Sequence, residues 1–174
     1  MLALLDPSRQ DIPEYADYLR VIEATAAEVN ERLGREGWLP IDLRIEDNFA
    51  ESVAAYKEYD VLFVNAIFDG MNLIAKEAPL VNERDGVLIL SENAGAHEEL
   101  GSFAITINPF DVEAQAEALH QALTMSSDER AFRIQEIKRI VRENDVGKWL
   151  QAQQDDIVRK RAADRRRERR GAGA

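Results

Sequence analysis

Short apolar runs alternate along this chain with longer stretches in which apolar residues recur every three or four positions. The runs LALLD (2–6), PIDLRI (40–45), DVLFV (60–64), GVLIL (86–90) and FAITI (103–107) have the length and bounding residues of β-strands. DVLFV is apolar throughout, the pattern of a strand covered on both faces. Between the first two runs, Tyr15, Tyr18, Leu19, Ile22, Ala26, Val29 and Leu33 fall near helical spacing. Pro13 suits the first turn of that helix and Gly34 its end. Shorter helices are predicted over 49–59, 72–81 and 94–100. Three further helices follow, over 112–124, about 127–144 and about 146–170. Asp111 caps the first of these, and Ser126 with Glu129 forms a capping box before the second.

Strands alternating with helices predict an α/β fold: a Rossmann-like parallel sheet with flanking helices and right-handed crossovers, ending in long helices. One feature departs from that plan. The first strand leads into DPSRQD, with no glycine-rich phosphate loop, so the sheet is expected to start partway through a larger domain.

Composition narrows the class. The 174 residues are 45% hydrophobic and 32% charged, ordinary for a globular domain with a substantial core. No run of about 18 apolar residues spans a membrane, and MLALLDPSRQ lacks the basic start and cleavage site of a signal peptide. The absence of cysteine removes disulfides and thiolate chemistry, and fits a cytoplasmic location. With only His97 and His120, a multi-histidine metal site is not expected. The net charge of −11 is uneven. Arg159 to Arg170 holds eight basic and two acidic residues, leaving 14 basic against 31 acidic elsewhere, a body of −17. Such a body repels nucleic acid. The basic tail, 156–174, reads as helical or frayed and as solvated or resting on its own acidic body.

Three stretches hold candidate chemistry. AIFDGMNLIAKE (66–77) follows a buried strand, and ligands in open α/β sheets sit beyond strand carboxyl ends. Gly70 permits a turn or a close approach, and the amides of Met71, Asn72 and Leu73 would be first-turn donors. Asp69 could accept from sugar hydroxyls, and Glu77, one turn beyond Leu73, could take a ribose diol. The same pattern equally describes Asp69 or Asn72 capping a helix whose Lys76 and Glu77 face water. SENAGAHEELG (91–101) also follows a buried strand. Its Gly95 between Ala94 and Ala96 permits close backbone approach, Glu98 and Glu99 are acids without a visible partner, and His97 reads as a surface or ligand-edge residue. In DPSRQD, Arg9 could grip a phosphate bidentately or pair with Asp6 or Asp11.

Taken in order, SRQDIPEY, YDVLFVNAIFDGMNLIAKE, GVLILSENAGAHEELG, INPFDVEAQAEALHQALTMSSDER and VRENDVGKWLQ closely resemble the C-terminal half of trehalose-6-phosphate synthases, retaining glycosyltransferases of family 20. The DGMNL-AKE run carries most of that resemblance, which covers residues 2–155. It implies the C-terminal, nucleotide-sugar-binding domain of a two-domain GT-B enzyme, incomplete at its N-terminus. The implied reaction moves glucose from UDP-glucose to glucose 6-phosphate without a bound metal or other cofactor. It implies that Asp69, Gly70, Met71 and Asn72 hold the donor sugar, that Leu73 and Glu77 hold the ribose and diphosphate side, and that Arg9 contacts the acceptor phosphate.

Two departures stand out: Phe68 occupies a position where the family commonly has arginine, and KEAP with Pro79 replaces KEY. Pseudo-glycosyltransferases that join cyclitols are relatives that vary here. The family's N-terminal domain, and the Arg and Lys that neutralise the diphosphate, are expected to precede this chain. Alone it is expected to have little or no transferase activity, a missing N-terminal half being the natural partner. A homo-oligomer is left open, as are a non-catalytic sugar-phosphate-binding role and a regulatory one.

Overall fold

The computed structural model describes residues 1–7 and 11–171; Arg9 lies outside the described residues. The chain divides into one unit over Met1–Ala55 and a second that begins at Tyr56.

In the first unit, β1 (Leu2–Leu5) pairs in parallel with β2 (Asp42–Ile45), Leu2 opposite Asp42 and Leu5 opposite Ile45. Helix α1 (Pro13–Leu33) connects them, with Pro13 in its first turn as expected. Asn30 fixes the entry to β2. Its Nδ2 donates to the Ile41 carbonyl at 2.8 Å, and its Oδ1 accepts from the Ile41 amide at 2.9 Å. The apolar stripe of α1 is covered only in part: Ala26 is buried, while Tyr15, Tyr18 and Leu33 are exposed. Helix α2 (Phe49–Glu58) runs from this unit into the next.

The second unit is built on a three-stranded parallel sheet in the order β3-β4-β5, from Val61–Val64, Val87–Ser91 and Ile105–Ile107. Around it lie α3 (Ile74–Val81), α4 (His97–Leu100), α5 (Val112–Thr124) and α6 (Ser127–Glu143); the long α7 (Val146–Gly171) follows, with Val146, Trp149, Ile157 and Val158 exposed. Strand residues alternate between faces. Leu88 and Leu90 join Val64, Ala75, Leu100 and Ile137 in one core, under α3, α4 and α6. Val87 and Ile89 join Ile105, Ile107, Ala118 and Ala122 in the other, under α5. A strand between two helical layers must be apolar on both faces, and all five β4 residues are buried. DVLFV is covered on both faces as expected, with Leu62 and Val64 against the first core and Val61 and Phe63 against the second, but only Val64 is fully buried, because β3 is an outer strand of this sheet.

The caps follow the sequence pattern. Asp111 Oδ1 accepts from the Ala114 amide at 3.0 Å, opening α5, and Ser126 Oγ accepts from the Glu129 amide, opening α6. Glu129 does not reach back to complete a capping box; its carboxylate pairs with Arg133 at 2.6 Å. The observed helices at 74–81 and 97–100 start two to three residues later than predicted, because residues 69–71 and 93–96 are engaged with each other and Asn72 bonds back to Asp69. No helix among the described residues is long and apolar enough to cross a membrane.

Candidate functional site

Because β3 and β4 are parallel neighbours with Val64 opposite Leu90, the loops that follow them leave the sheet at the same end. These are the DGMN loop (65–73) and the NAGA loop (92–96), and they meet. Asp69 bridges to Ala94 in parallel register. The Asp69 amide donates to the Asn93 carbonyl at 3.3 Å, the Gly95 amide to the Asp69 carbonyl at 2.9 Å, and the Ala96 amide to the Met71 carbonyl at 2.7 Å. Asn93 Nδ2 adds a bond to the Ile67 carbonyl at 2.9 Å. A Cβ on Gly95 would stand 2.1 Å from the Gly70 carbonyl oxygen, so this contact requires glycine.

Within the DGMN loop, Asp69 organises its own backbone. Its Oδ1 accepts from the amides of Met71 and Asn72 at 3.0 and 2.9 Å, and its Oδ2 from Asn72 Nδ2 at 3.1 Å. The expectation that the Met71 and Asn72 amides stand unpaired is therefore corrected: an Asx-type turn takes both. The amides of Gly70, Leu73 and Ile74 are the ones in this stretch with no acceptor among the described residues. Three of the roughly four lone-pair sites of the Asp69 carboxylate are used, which leaves room for one more donor.

Gly70 is not the residue with special backbone geometry. No atom lies within 4 Å of its would-be Cβ. Asn72 instead carries the left-handed conformation, with φ of 71°. Its Oδ1 accepts from the Ala75 amide at 3.0 Å, capping α3. The capping alternative is thus correct for Asn72, whereas Asp69 closes the turn before the helix and caps no helix amide.

It is half correct for the following helix. Glu77 is exposed, and its carboxylate has no partner among the described residues. Lys76 does not face water. Its ammonium meets Glu99 Oε1 at 2.5 Å, with the lysine side chain only 16% exposed. Sequence reading missed this pair because its members lie 23 residues apart in unlike contexts. His97 sits at the edge of the NAGA loop, with Nε2 2.9 Å from Thr106 Oγ1.

Around this hydrogen-bonded centre, Ile67, Phe68, Met71, Leu73 and Ile74 are exposed, Phe68 to 83%. Five adjacent apolar side chains in water mark a surface that something covers. Among the described residues, no group of three or more His, Asp or Glu side chains could hold a metal ion. At the opposite end of the sheet, a recess of about 380 Å³ is lined by Asp60, Arg84, Asp85, Ser127 and Arg130. Its arginines are engaged: Arg84 with Asp60, and Arg130 with the carbonyls of Arg84 and Asp85.

Residues 1–159 match the family model described as glycosyltransferase family 20. The chain is 37% identical over 163 residues to the validamine 7-phosphate valienyltransferase of Streptomyces hygroscopicus subsp. jinggangensis, covering 94% of this chain and 32% of that protein. It is 42% identical over 148 residues to the bifunctional trehalose-6-phosphate synthase/phosphatase of Thermoproteus tenax, covering 82% and 20%. Among solved structures, a UDP-forming trehalose-phosphate synthase from Burkholderia xenovorans superposes with a TM-score of 0.85 at 32% identity, over 90% of this chain and 36% of that one. An E. coli trehalose-6-phosphate structure bound with UDP-2-fluoro glucose gives 0.83 at 34%, over 89% and 35%. The chain thus spans about a third or less of the length of these relatives.

Proposed function

This chain belongs to glycosyltransferase family 20, and on that premise we propose that it is the donor-binding part of a trehalose-6-phosphate synthase-like retaining enzyme. Its donor is UDP-glucose and its acceptor glucose 6-phosphate. The observation that carries this reading is the joining of the DGMN and NAGA loops at the carboxyl ends of β3 and β4. That union presents one free acceptor site on Asp69, the free amides of Gly70 and Leu73, and the unpartnered Glu77 carboxylate on one loop and its helix.

Each group has a chemical task. The remaining lone pair of Asp69 and the Gly70 amide suit hydroxyls of the donor glucose, one as acceptor and one as donor. The Leu73 amide suits a diphosphate oxygen at the start of α3. Glu77 lies one turn on and suits the ribose diol. In the complete enzyme the bond from glucose C1 to the diphosphate oxygen breaks. The new bond forms on the same face to the acceptor hydroxyl, and that hydroxyl's proton passes to the departing phosphate. Arg9 is assigned to the acceptor phosphate. No metal is invoked: positive charge on the diphosphate is assigned to the remainder of the longer protein, since this body is acidic.

A second reading, a cyclitol-joining relative with a different donor, is favoured by the similarity to the valienyltransferase over 94% of the chain. Phe68 fits it as well, because an aromatic beside Asp69 offers a stacking face where the family commonly has a charge.

Calorimetric titration with UDP and UDP-glucose tests the main reading. Saturable binding is expected, and Glu77→Ala should weaken it about tenfold or more, the worth of a charge-assisted hydrogen-bonded contact. Absence of binding by UDP-glucose, with binding of another nucleoside diphosphate, would favour the second reading.

A further inference from the structure

We propose that Lys76 and Glu99 are positioning residues of the donor site, acting as an ionic latch that fixes the Glu77 carboxylate for the nucleotide ribose. The inference rests on the reading of Glu77 given above. Lys76 immediately precedes Glu77 in the first turn of α3, and Glu99 lies in α4, directly after the NAGA loop. The Nζ–Oε1 distance is 2.5 Å, with the side chains 16% and 35% exposed.

Three observations give the pair this role rather than a merely cohesive one. First, the backbone bonds joining the two loops end at Met71 and Ala96, so nothing in that ladder holds the start of α3 beyond Met71. Lys76–Glu99 is the next tie along the helix, and the only ion pair between the two segments among the described residues. Second, Lys76 and Glu77 are successive helical residues, about 100° apart around the axis. Holding Lys76 against α4 therefore turns Glu77 to the exposed side, where it is found without a partner. Third, Glu99 Oε2 is buried and accepts no hydrogen bond among the described residues. A buried carboxylate oxygen left unsatisfied costs free energy, which a pair serving cohesion alone gives no reason to retain.

The test combines a ligand cycle with hydrogen exchange on the 174-residue chain. UDP and 2′,3′-dideoxy-UDP, which lacks the diol, are titrated into wild type, Lys76→Met, Glu99→Gln, Glu77→Ala and the Lys76→Met/Glu77→Ala double variant. Lys76→Met is expected to weaken UDP about tenfold, to leave the dideoxy nucleotide unchanged, and to add nothing once Glu77 is alanine. Glu99→Gln, which keeps a hydrogen bond, should retain most of the affinity. Exchange at the Ala75 and Lys76 amides, which are bonded to Asn72 Oδ1 and the Leu73 carbonyl, should quicken in Lys76→Met while the β4 amides stay protected. Equal losses for both nucleotides, or additive effects with Glu77→Ala, overturn the latch. If wild type fails to distinguish the nucleotides, or binds neither, the ribose reading of Glu77 fails, and the positioning claim fails with it. Exchange then still shows whether Lys76 orders the start of α3.

Discussion

The place a Cβ would occupy on Gly95 is 2.1 Å from the carbonyl oxygen of Gly70 and 3.3 Å from Cα of Met71. The two loops therefore meet backbone to backbone, and a side chain at 95 must drive them apart. Gly95→Ala is expected to lower stability by about 1–3 kcal/mol, the cost of overpacking a contact with no flexible atom to yield, and to abolish nucleotide-sugar binding. Gly70→Ala is the control. With nothing within 4 Å and no positive φ, it should be neutral or stabilise by up to about 1 kcal/mol, yet weaken binding wherever the donor approaches that face. Chemical denaturation and UDP-glucose titration of both variants check the contrast.

Asn72 does two jobs that substitution can separate. It holds a left-handed backbone at φ 71° and caps α3 through Oδ1. Asn72→Gly relieves the backbone but loses the cap, an expected cost of only a few tenths of a kcal/mol. Asn72→Ala loses the cap and also strains the backbone by about 1–2 kcal/mol, so it should be the less stable of the two. Equal melting temperatures for the glycine and alanine variants would contradict this division.

Much of this architecture is legible in the sequence because it rests on local chemistry. The period of apolar residues marks α1 and β4, and Asp111 and Ser126 announce their helices at fixed offsets. Gly95 between two alanines signals close approach. What is not legible depends on contacts across long separations. Residues 72–73 and 94–96 read as helical turns, but the Gly95 and Ala96 amides donate to the facing loop, and Asn72 bonds to Asp69 and to the Ala75 amide. Lys76 reads as a surface residue because Glu99 lies 23 positions away. The Met71 and Asn72 amides read as free donors because the pattern cannot say whether Asp69 turns toward its own loop or toward a ligand. The Arg9 assignment rests on family resemblance alone.

Asn82 is a structural centre that helical periodicity does not reveal. It is 3% exposed. Its Nδ2 donates to the carbonyls of Tyr56 and Tyr59 at 3.1 and 3.0 Å, and its Oδ1 accepts from the amides of Arg84 and Gly86 at 3.1 and 2.8 Å. One side chain thus ties the end of α2 to the turn that starts β4. Asn82→Ala leaves the Gly86 amide buried without an acceptor, and about 3 kcal/mol of lost stability is expected. Because the DGMN loop is far from this knot along β3, UDP affinity of the folded variant should be retained at low temperature. A urea titration monitored by circular dichroism, with nucleotide binding below the transition, measures both.

Tyr59 gives the chain a pH dependence of known sign. Its ring packs over Gly86, whose would-be Cβ lies 2.1 Å from Cε2, and its hydroxyl is buried without a hydrogen-bond partner among the described residues. Burial raises the phenol pKa above the ordinary value of 10.0, since the phenolate would lose its hydration. In the unfolded chain Tyr59 ionises near 10, whereas in the folded chain it stays protonated. The unfolded state then binds fewer protons, so stability is fully present below about pH 10 and falls as pH rises beyond it. Tyr59→Phe keeps the ring and removes an unsatisfied hydroxyl, so at pH 7 it should be neutral or stabilising by up to about 1 kcal/mol. Above pH 10 the variant should lose less stability than wild type. Phenolate absorbance should show a late-titrating tyrosine in wild type that is missing in Tyr59→Phe, and equal alkaline slopes for the two proteins would place the buried charge elsewhere.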